Sequence, residues 1–272
     1  MRDDAPQIAL DVCDLAALEA ALAGTIFAGQ LHFSPLTDST NSDAIDAARS
    51  GAPHGSVYFT DEQLAGRGRG GHVWHSASGE GLYVSAVLRP MIPTLRLPLL
   101  PLAAGLAAAE AIRAVAGLTV DLRWPNDLLI GPRKTGGILV ESKIEGGMAG
   151  FVVVGIGINV HQRAFDAGLA TPATSVDLET GRRNPRQPLL VALLKSLERE
   201  ALALLDPEAG GTVPARVEAA STWIRGRRVE VHGPQACTGV TAGLDQHGFL
   251  LVRTGDGLVT VQTGGIRASE MS

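Results

Sequence analysis

The chain has 272 residues, 45% hydrophobic and only 4% aromatic, which is enough apolar material for one large domain plus a small one with cores of Val, Leu, Ile and Ala. A net charge of −5 denies it the general positive field of a nucleic-acid binder, so any anionic ligand has to be met by a local cluster of cations. Cys13 and Cys237 form no Cys-x-x-Cys pair or disulfide framework, which fits a reducing cytoplasm; from Met1-Arg2-Asp3-Asp4 no secretory signal is expected; and the uncharged, Leu- and Ala-rich run over residues 97–109 holds two prolines and is too short to span a bilayer.

Apolar residues at helical spacing over residues 11–23, stopped by Gly24, predict a first helix. Residues 31–33 read as a short strand. Ser39, Thr40 and Asn41 are N-cap types placed before the apolar-periodic stretch from Ser42 to Ile45, so they mark a helix start; this helix ends near Gly51. A strand over 57–60 leads into residues 61–81, which are rich in Gly, Arg and Ser and have little periodicity. Loops of that length in compact domains usually carry function. Next come a strand over 82–88 and a helix over 98–116, apolar on almost every face and therefore buried, closed by Gly117.

Strands follow at 120–123, 128–130, 137–143 and 151–160, the last two flanking the hairpin signal Glu145-Gly146-Gly147. Their apolar runs suit central strands of a sheet covered by helices. Residues 189–205 form another amphipathic helix. From about residue 224 short β-rich pieces (229–231, 249–252, 258–261) alternate with turns such as Gly233-Pro234 and Gly255-Asp256-Gly257, the pattern of a small, separate all-β barrel. There is no internal repeat.

The sharpest motif is Gly66-Arg67-Gly68-Arg69-Gly70-Gly71. Glycines let the backbone approach a ligand closely, and arginines offer forked donors suited to carboxylate and phosphate, so together they describe a mobile lid for an anion. The string also fits the dinucleotide fingerprint G-x-G-x-x-G, but no helix start follows at His72-Val73-Trp74-His75-Ser76; the kinase reading lacks its H-R-D and D-F-G partners, and no Gly-Lys pair exists for a Walker loop. A flexible solvated linker is the plain alternative.

Trp124-Pro125-Asn126-Asp127 makes a rigid corner between two strands, able to fix an amide that reads a base or ribose edge and a carboxylate that holds a metal ion accompanying phosphates; a turn with Asx capping would look the same. Lys134, beside Gly136 and Gly137 at a strand start, is placed to reach into a pocket and neutralise a carboxylate or phosphoryl oxygen, although most such lysines are solvated. The alternating glycines of Gly155-Ile156-Gly157-Ile158-Asn159 mark either close approach of a ligand, with Asn159 at the strand's end, or a crossing that needs small residues.

Taken in order, Ser39-Thr40-Asn41, Gln63, the glycine-arginine loop, Trp74, Trp124-Pro125-Asn126-Asp127, Lys134 with Gly137-Ile138-Leu139, the Gly155–Asn159 run and the β-rich tail resemble the biotin protein ligases over nearly the whole chain. That resemblance implies an α+β fold: a mixed β-sheet catalytic domain of the biotin/lipoate ligase type over 1–223, and a small C-terminal SH3-like β-barrel over 224–272. It implies biotin contacts from Ser39, Thr40, Asn41, Gln63, Arg67, Gly68, Arg69, Lys134 and Gly137, and ATP contacts from Arg67, Arg69, Trp74, Asn126, Asp127, Lys134 and Asn159. Lys134, Arg67 and Asp127 become the catalytic set, and Asp127 the candidate ligand for Mg2+. Two positions depart from the family pattern: Arg123 stands where lysine is usual before the Trp-Pro-Asn-Asp run, and Gly70 where the loop often carries arginine.

The implied reaction is activation of biotin by Mg-ATP to biotinyl-5′-AMP, followed by transfer to a lysine of a biotin carboxyl carrier protein, with Asp127 the candidate to help deprotonate that lysine. With about 38 residues before Ser39, no room is expected for the DNA-binding domain of bifunctional members. DNA and membrane partners are not expected, and a homodimer stays open. A lipoate or octanoate ligase and a non-catalytic sensor of biotin or its adenylate remain as alternatives, with a Rossmann-type redox enzyme more distant.

Overall fold

The computed structural model describes residues 13–90 and 92–269; Met1-Arg2-Asp3-Asp4 and the first two residues of the helix expected over 11–23 lie outside the described residues. The elements run α1 (Leu15–Ala21), β1 (Leu31–Thr37), α2 (Thr40–Arg49), β2 (Val57–Gln63), β3 (Gly81–Leu88), α3 (Leu99–Ala116), β4 (Asp121–Arg123), β5 (Asp127–Ile130), β6 (Arg133–Glu145), β7 (Met148–Asn159), α4 (Val176–Thr180), α5 (Arg186–Leu205), α6 (Pro207–Gly211), α7 (Val213–Ala219), β8 (Arg225–His232), β9 (Cys237–Leu244), β10 (Leu250–Thr254), β11 (Gly257–Val261) and β12 (Gly265–Ala268). The first seven strands form one sheet in the order β1-β2-β3-β7-β6-β5-β4, and the last five a second sheet in the order β11-β10-β9-β8-β12. Only the β1–β2 pair is parallel, so the large sheet is mixed; the small one is antiparallel throughout and SH3-like in type.

Strand β7 shows why the sequence reads as a continuous apolar run. Val152, Val154, Ile156 and Ile158 point into the main core under the helices, while Val153 joins Ala44, Ala48, Val87 and Phe151 in a smaller cluster beneath α2. Both faces are covered, so polar alternation is absent. Helix α3 lies on the helical face with α5 against it. Its residues Leu100, Ala104, Ala107, Ala108, Ala111 and Ile112 are buried, and it ends at Gly117 with φ +74°, whose N–H caps the Arg113 carbonyl. The uncharged run 97–109 is too short for a membrane span, yet the whole stretch Thr94–Ala116 is long and apolar enough by length and composition; here it is the core helix of the large sheet.

Several boundaries differ from expectation for local reasons. β1 extends to Thr37 and β2 to Gln63, because parallel pairing continues through Leu36–Glu62 and Thr37–Gln63. β1 tolerates Pro35, which has no N–H, because it is the edge strand. α2 starts at Thr40 with Ser39 as N-cap, so Thr40 and Asn41 sit in its first turn rather than before it. The short α4, α6 and α7 and the strands β9 and β12 carry too little periodicity to be read in advance.

The small sheet is joined to the large one through the buried Trp124 indole N–H, which donates to the Gly248 carbonyl (3.0 Å) in the turn before β10, and the segment that leads into β8 is held to β4 by Ser221 Oγ, which donates to the Leu122 carbonyl (2.5 Å), and by Thr222 N–H, which donates to Asp121 (2.9 Å). Val229, Val231, Leu250, Val252 and Ile266 of the small sheet belong to the main core. Trp124→Phe strands the buried Gly248 carbonyl and is expected to cost about 1–3 kcal/mol, read as a lower urea midpoint; an unchanged midpoint would mean that this joint carries no stability.

Candidate active site

A cavity of about 1000 Å³ opens over the face of the large sheet opposite α3, bounded by the start of α2, the loop after β2, the 123–127 corner and the turns of the small sheet. The alternating glycines of β7 create its floor. A Cβ on Gly155 would stand 2.0 Å from Asn41 Oδ1, and one on Gly157 would stand 2.6 Å from the Trp74 indole. The close approach expected of these glycines is therefore made by the chain's own Asn41 and Trp74.

On that floor a polar chain links four elements. Gln63 Nε2 donates to Ser76 Oγ (2.7 Å), and Gln63 Oε1 accepts from the Thr40 backbone N–H (2.9 Å). Ser85 Oγ lies 2.8 Å from Thr40 Oγ1 and donates to Asn41 Oδ1 (2.6 Å). Asn41 Nδ2 then donates to Glu141 Oε2 (2.9 Å), and the Arg67 guanidinium grips the same carboxylate with two bonds (2.8 and 3.2 Å). Ser39, Thr40 and Asn41 are all buried; Ser39 caps α2 through its carbonyl to the Asp43 N–H (3.0 Å) and makes no side-chain cap bond.

The charge centre lies at the 123–134 hairpin. Asp127 Oδ2 accepts from Arg123 Nη2 (2.6 Å) and Nε (3.1 Å), while Oδ1 pairs with the Lys134 ammonium. Arg123 also donates to Thr171 Oγ1 (2.9 Å) and stacks over the Trp223 ring at 5.2 Å. Burial pushes the Asp127 carboxyl up, but Lys134 and Arg123 outweigh it and hold it below its ordinary value. With both oxygens facing cations, Asp127 orients the Lys134 ammonium in this arrangement. The ammonium of Lys134 also sits 5.6 Å from the Trp74 ring centroid, and its backbone is pinned by bonds to Pro172 and Thr174.

Every sequence-predicted residue meets this cavity. Besides those already described, three more of them are tethered within it. Arg69 donates to the Gly264 carbonyl and to Thr263 Oγ1 (3.0 Å), which docks the loop on the small sheet; Asn126 Nδ2 donates to the Ile138 carbonyl (2.8 Å), and Asn159 Nδ2 to the Thr174 carbonyl (3.0 Å). Sequence reasoning missed Glu141 and Ser85, polar residues set inside apolar strands, although an isolated glutamate in Gly-Ile-Leu-Val-Glu is a legible oddity. It also missed Tyr83, Gln162 and the 164–171 wall, which carry no motif.

Residues 33–159 match the biotin/lipoate A/B protein ligase family. The biotin–[acetyl-CoA-carboxylase] ligase of Mycobacterium tuberculosis is 34% identical over 87% of this chain and 88% of its own length, and the bifunctional ligase/repressor BirA of Bacillus spizizenii 34% identical over 87% and 73%. Among solved structures, the Aquifex aeolicus biotin protein ligase in complex with biotin and ATP superposes with a TM-score of 0.76 at 28% identity, covering 89% of this chain and all of that one.

The depressed carboxyl of Asp127 contributes stability that is present above its unfolded value of about 3.9 and is lost as pH falls through its lower folded value. Asp127→Asn strands two cations and is expected to cost about 3 kcal/mol at neutral pH, with the gap to the parent closing only below about pH 4. Urea midpoints at pH 7, 5 and 3 check this, and a gap constant across that range would contradict it.

Proposed function

Because the chain belongs to the biotin/lipoate A/B protein ligase family, we propose that it is a biotin–protein ligase that makes biotinyl-5′-AMP from biotin and ATP and passes the biotinyl group to a lysine of a biotin carboxyl carrier domain, forming a C–N bond. The observation that carries this reading is the convergence of Lys134, the Arg67–Arg69 loop and the buried Ser39-Thr40-Asn41 trio on one cavity.

In the first step a biotin carboxylate oxygen attacks the α-phosphorus of ATP, the bond to the bridging oxygen breaks, and pyrophosphate leaves. Two anions must meet, so the barrier is dominated by their repulsion. We assign the offsetting charge to Lys134, held in place by Asp127, and to Arg67. Ser39, Thr40, Asn41, Gln63, Gly68 and Gly137 are assigned to biotin, and Trp74, Asn126, Asn159 and Arg69 to the nucleotide side. In the second step the neutral carrier amine attacks the acyl carbon, the bond from that carbon to the phosphate oxygen breaks, AMP leaves, and the amine's proton passes to water. Asp127 is not given that proton, since the two cations beside it make it a weaker base than an ordinary carboxylate. Magnesium enters with ATP as part of the substrate; Asp127 offers it no oxygen that does not already face a cation.

The 64–80 loop shields the mixed anhydride from water. Arg69, docked on Thr263 and Gly264, is its latch to the small sheet. We divide the chain into a catalytic unit over 1–223 and the SH3-like sheet over 224–272. The carrier domain, rather than DNA, is taken as the macromolecular partner on the acidic net charge of −5, and the cytoplasm as the compartment on two unpaired thiols.

Lys134→Ala is expected to lower biotin-dependent pyrophosphate exchange by roughly 100-fold or more while circular dichroism stays native; full exchange would remove Lys134 from the mechanism, and exchange driven by lipoate or octanoate in place of biotin would change the substrate. Arg69→Gly unlatches the loop, so it is expected to release free biotinyl-AMP, measured by chromatography of a reaction without carrier. Retention equal to the parent would deny Arg69 that role.

A further inference from the structure

Glu141 belongs to none of the sequence motifs, and it stands where two of them meet. It lies on β6 opposite Val153, two residues beyond Leu139, on the same strand face as Gly137 and Leu139. Its carboxylate accepts from Asn41 Nδ2 (2.9 Å) on α2 and from both terminal nitrogens of Arg67 (2.8 and 3.2 Å) on the loop. Behind it, Asn41 cannot turn away. Ser85 holds its Oδ1 at 2.6 Å, and the missing side chain of Gly155 leaves a slot that only this amide fills. The guanidinium and the carboxylate are 41% and 31% exposed, so the pair is loose enough to reorganise when an anion enters, and its two parallel bonds fix the plane of the guanidinium while it holds.

We propose that Glu141 is a positioning residue for biotin binding: one carboxylate clamps the arginine of the lid to the asparagine of the biotin wall, and so presets both before ligand arrives. The role in biotin binding rests on the ligase reading; the clamp itself does not. An arginine on a glycine-flanked loop has many rotamers to lose on binding, and a partner that orders it in advance removes part of that cost from the encounter with biotin. The benefit should fall on the affinity for biotin rather than on the chemical step, because Glu141 reaches the ligand only through Arg67 and Asn41.

The test uses the full chain with Glu141→Gln, which keeps the length and an acceptor for Asn41 while removing the charge. Two readouts are taken: amide hydrogen exchange of residues 66–74 without ligand, and KM against kcat for biotin in pyrophosphate exchange. The expected result is faster exchange across 66–74 and a KM for biotin raised roughly fivefold with kcat within about twofold. In an Arg67→Met background, Glu141→Gln is expected to add nothing to KM, because the clamp then has no arginine to hold. Unchanged exchange and unchanged KM in Glu141→Gln would overturn the proposal, and so would an undiminished KM effect in the Arg67→Met background. Faster loop exchange in a protein that shows no biotin-dependent activity would instead keep the clamp and sink the ligase reading.

Discussion

One carboxylate, Asp127, sits between two cations, and the arrangement of the site follows from how that charge is balanced. Oδ2 is taken by Arg123 and Oδ1 by Lys134, so of the two cations Arg123 is turned toward Thr171 and Trp223 and Lys134 toward the cavity and Trp74. A buried ion pair is weak support for stability, since desolvation offsets much of the Coulombic gain. What it provides is direction: Lys134 has four rotatable carbon bonds and would otherwise sample solvent. Arginine at position 123 suits this arrangement, because its planar fork engages Asp127 and Thr171 while its face lies on Trp223. The departure from the usual family lysine is thus accommodated by the packing around it.

Two further cations of the cavity are also held by the chain's own acceptors, Arg67 by Glu141 and Arg69 by the turn at Thr263 and Gly264. A site for anions that exposed three unpaired cations would repel itself. Parking each one on an internal acceptor relieves that repulsion, and the partly exposed pair can be exchanged for ligand oxygens at little cost. The glycines of β7 serve the same end by another route. They let Asn41 and Trp74 sink to the sheet, which brings the loop over the floor without a strained backbone.

The small sheet is part of the site rather than an appendage. Its turns supply the acceptors for Arg69 and for the Trp124 indole, and its apolar residues are continuous with the main core. A loop rich in glycine needs something rigid to close against, and these turns lie at the mouth of the cavity.

The sequence alone determined the order of the longer elements, the buried character of α3, the hairpin of β6 and β7, the all-β tail and the motif residues that meet in the cavity, because helical and strand periodicity, caps and glycine-rich turns are local properties of the chain. Ser39 to Asn41, the 66–71 loop, the 124–127 corner and Lys134 were legible for the same reason: each is a short run whose chemistry is unusual in itself. What only the tertiary structure decided is pairing. That Arg69 turns to Gly264 and that Glu141 joins Asn41 to Arg67 depend on contacts between residues far apart in the chain, and even the nearby Arg123 and Lys134 meet Asp127 only because the 123–134 hairpin folds both onto it. No local pattern encodes such a contact, since a carboxylate in a strand reads the same whether it meets water or a guanidinium.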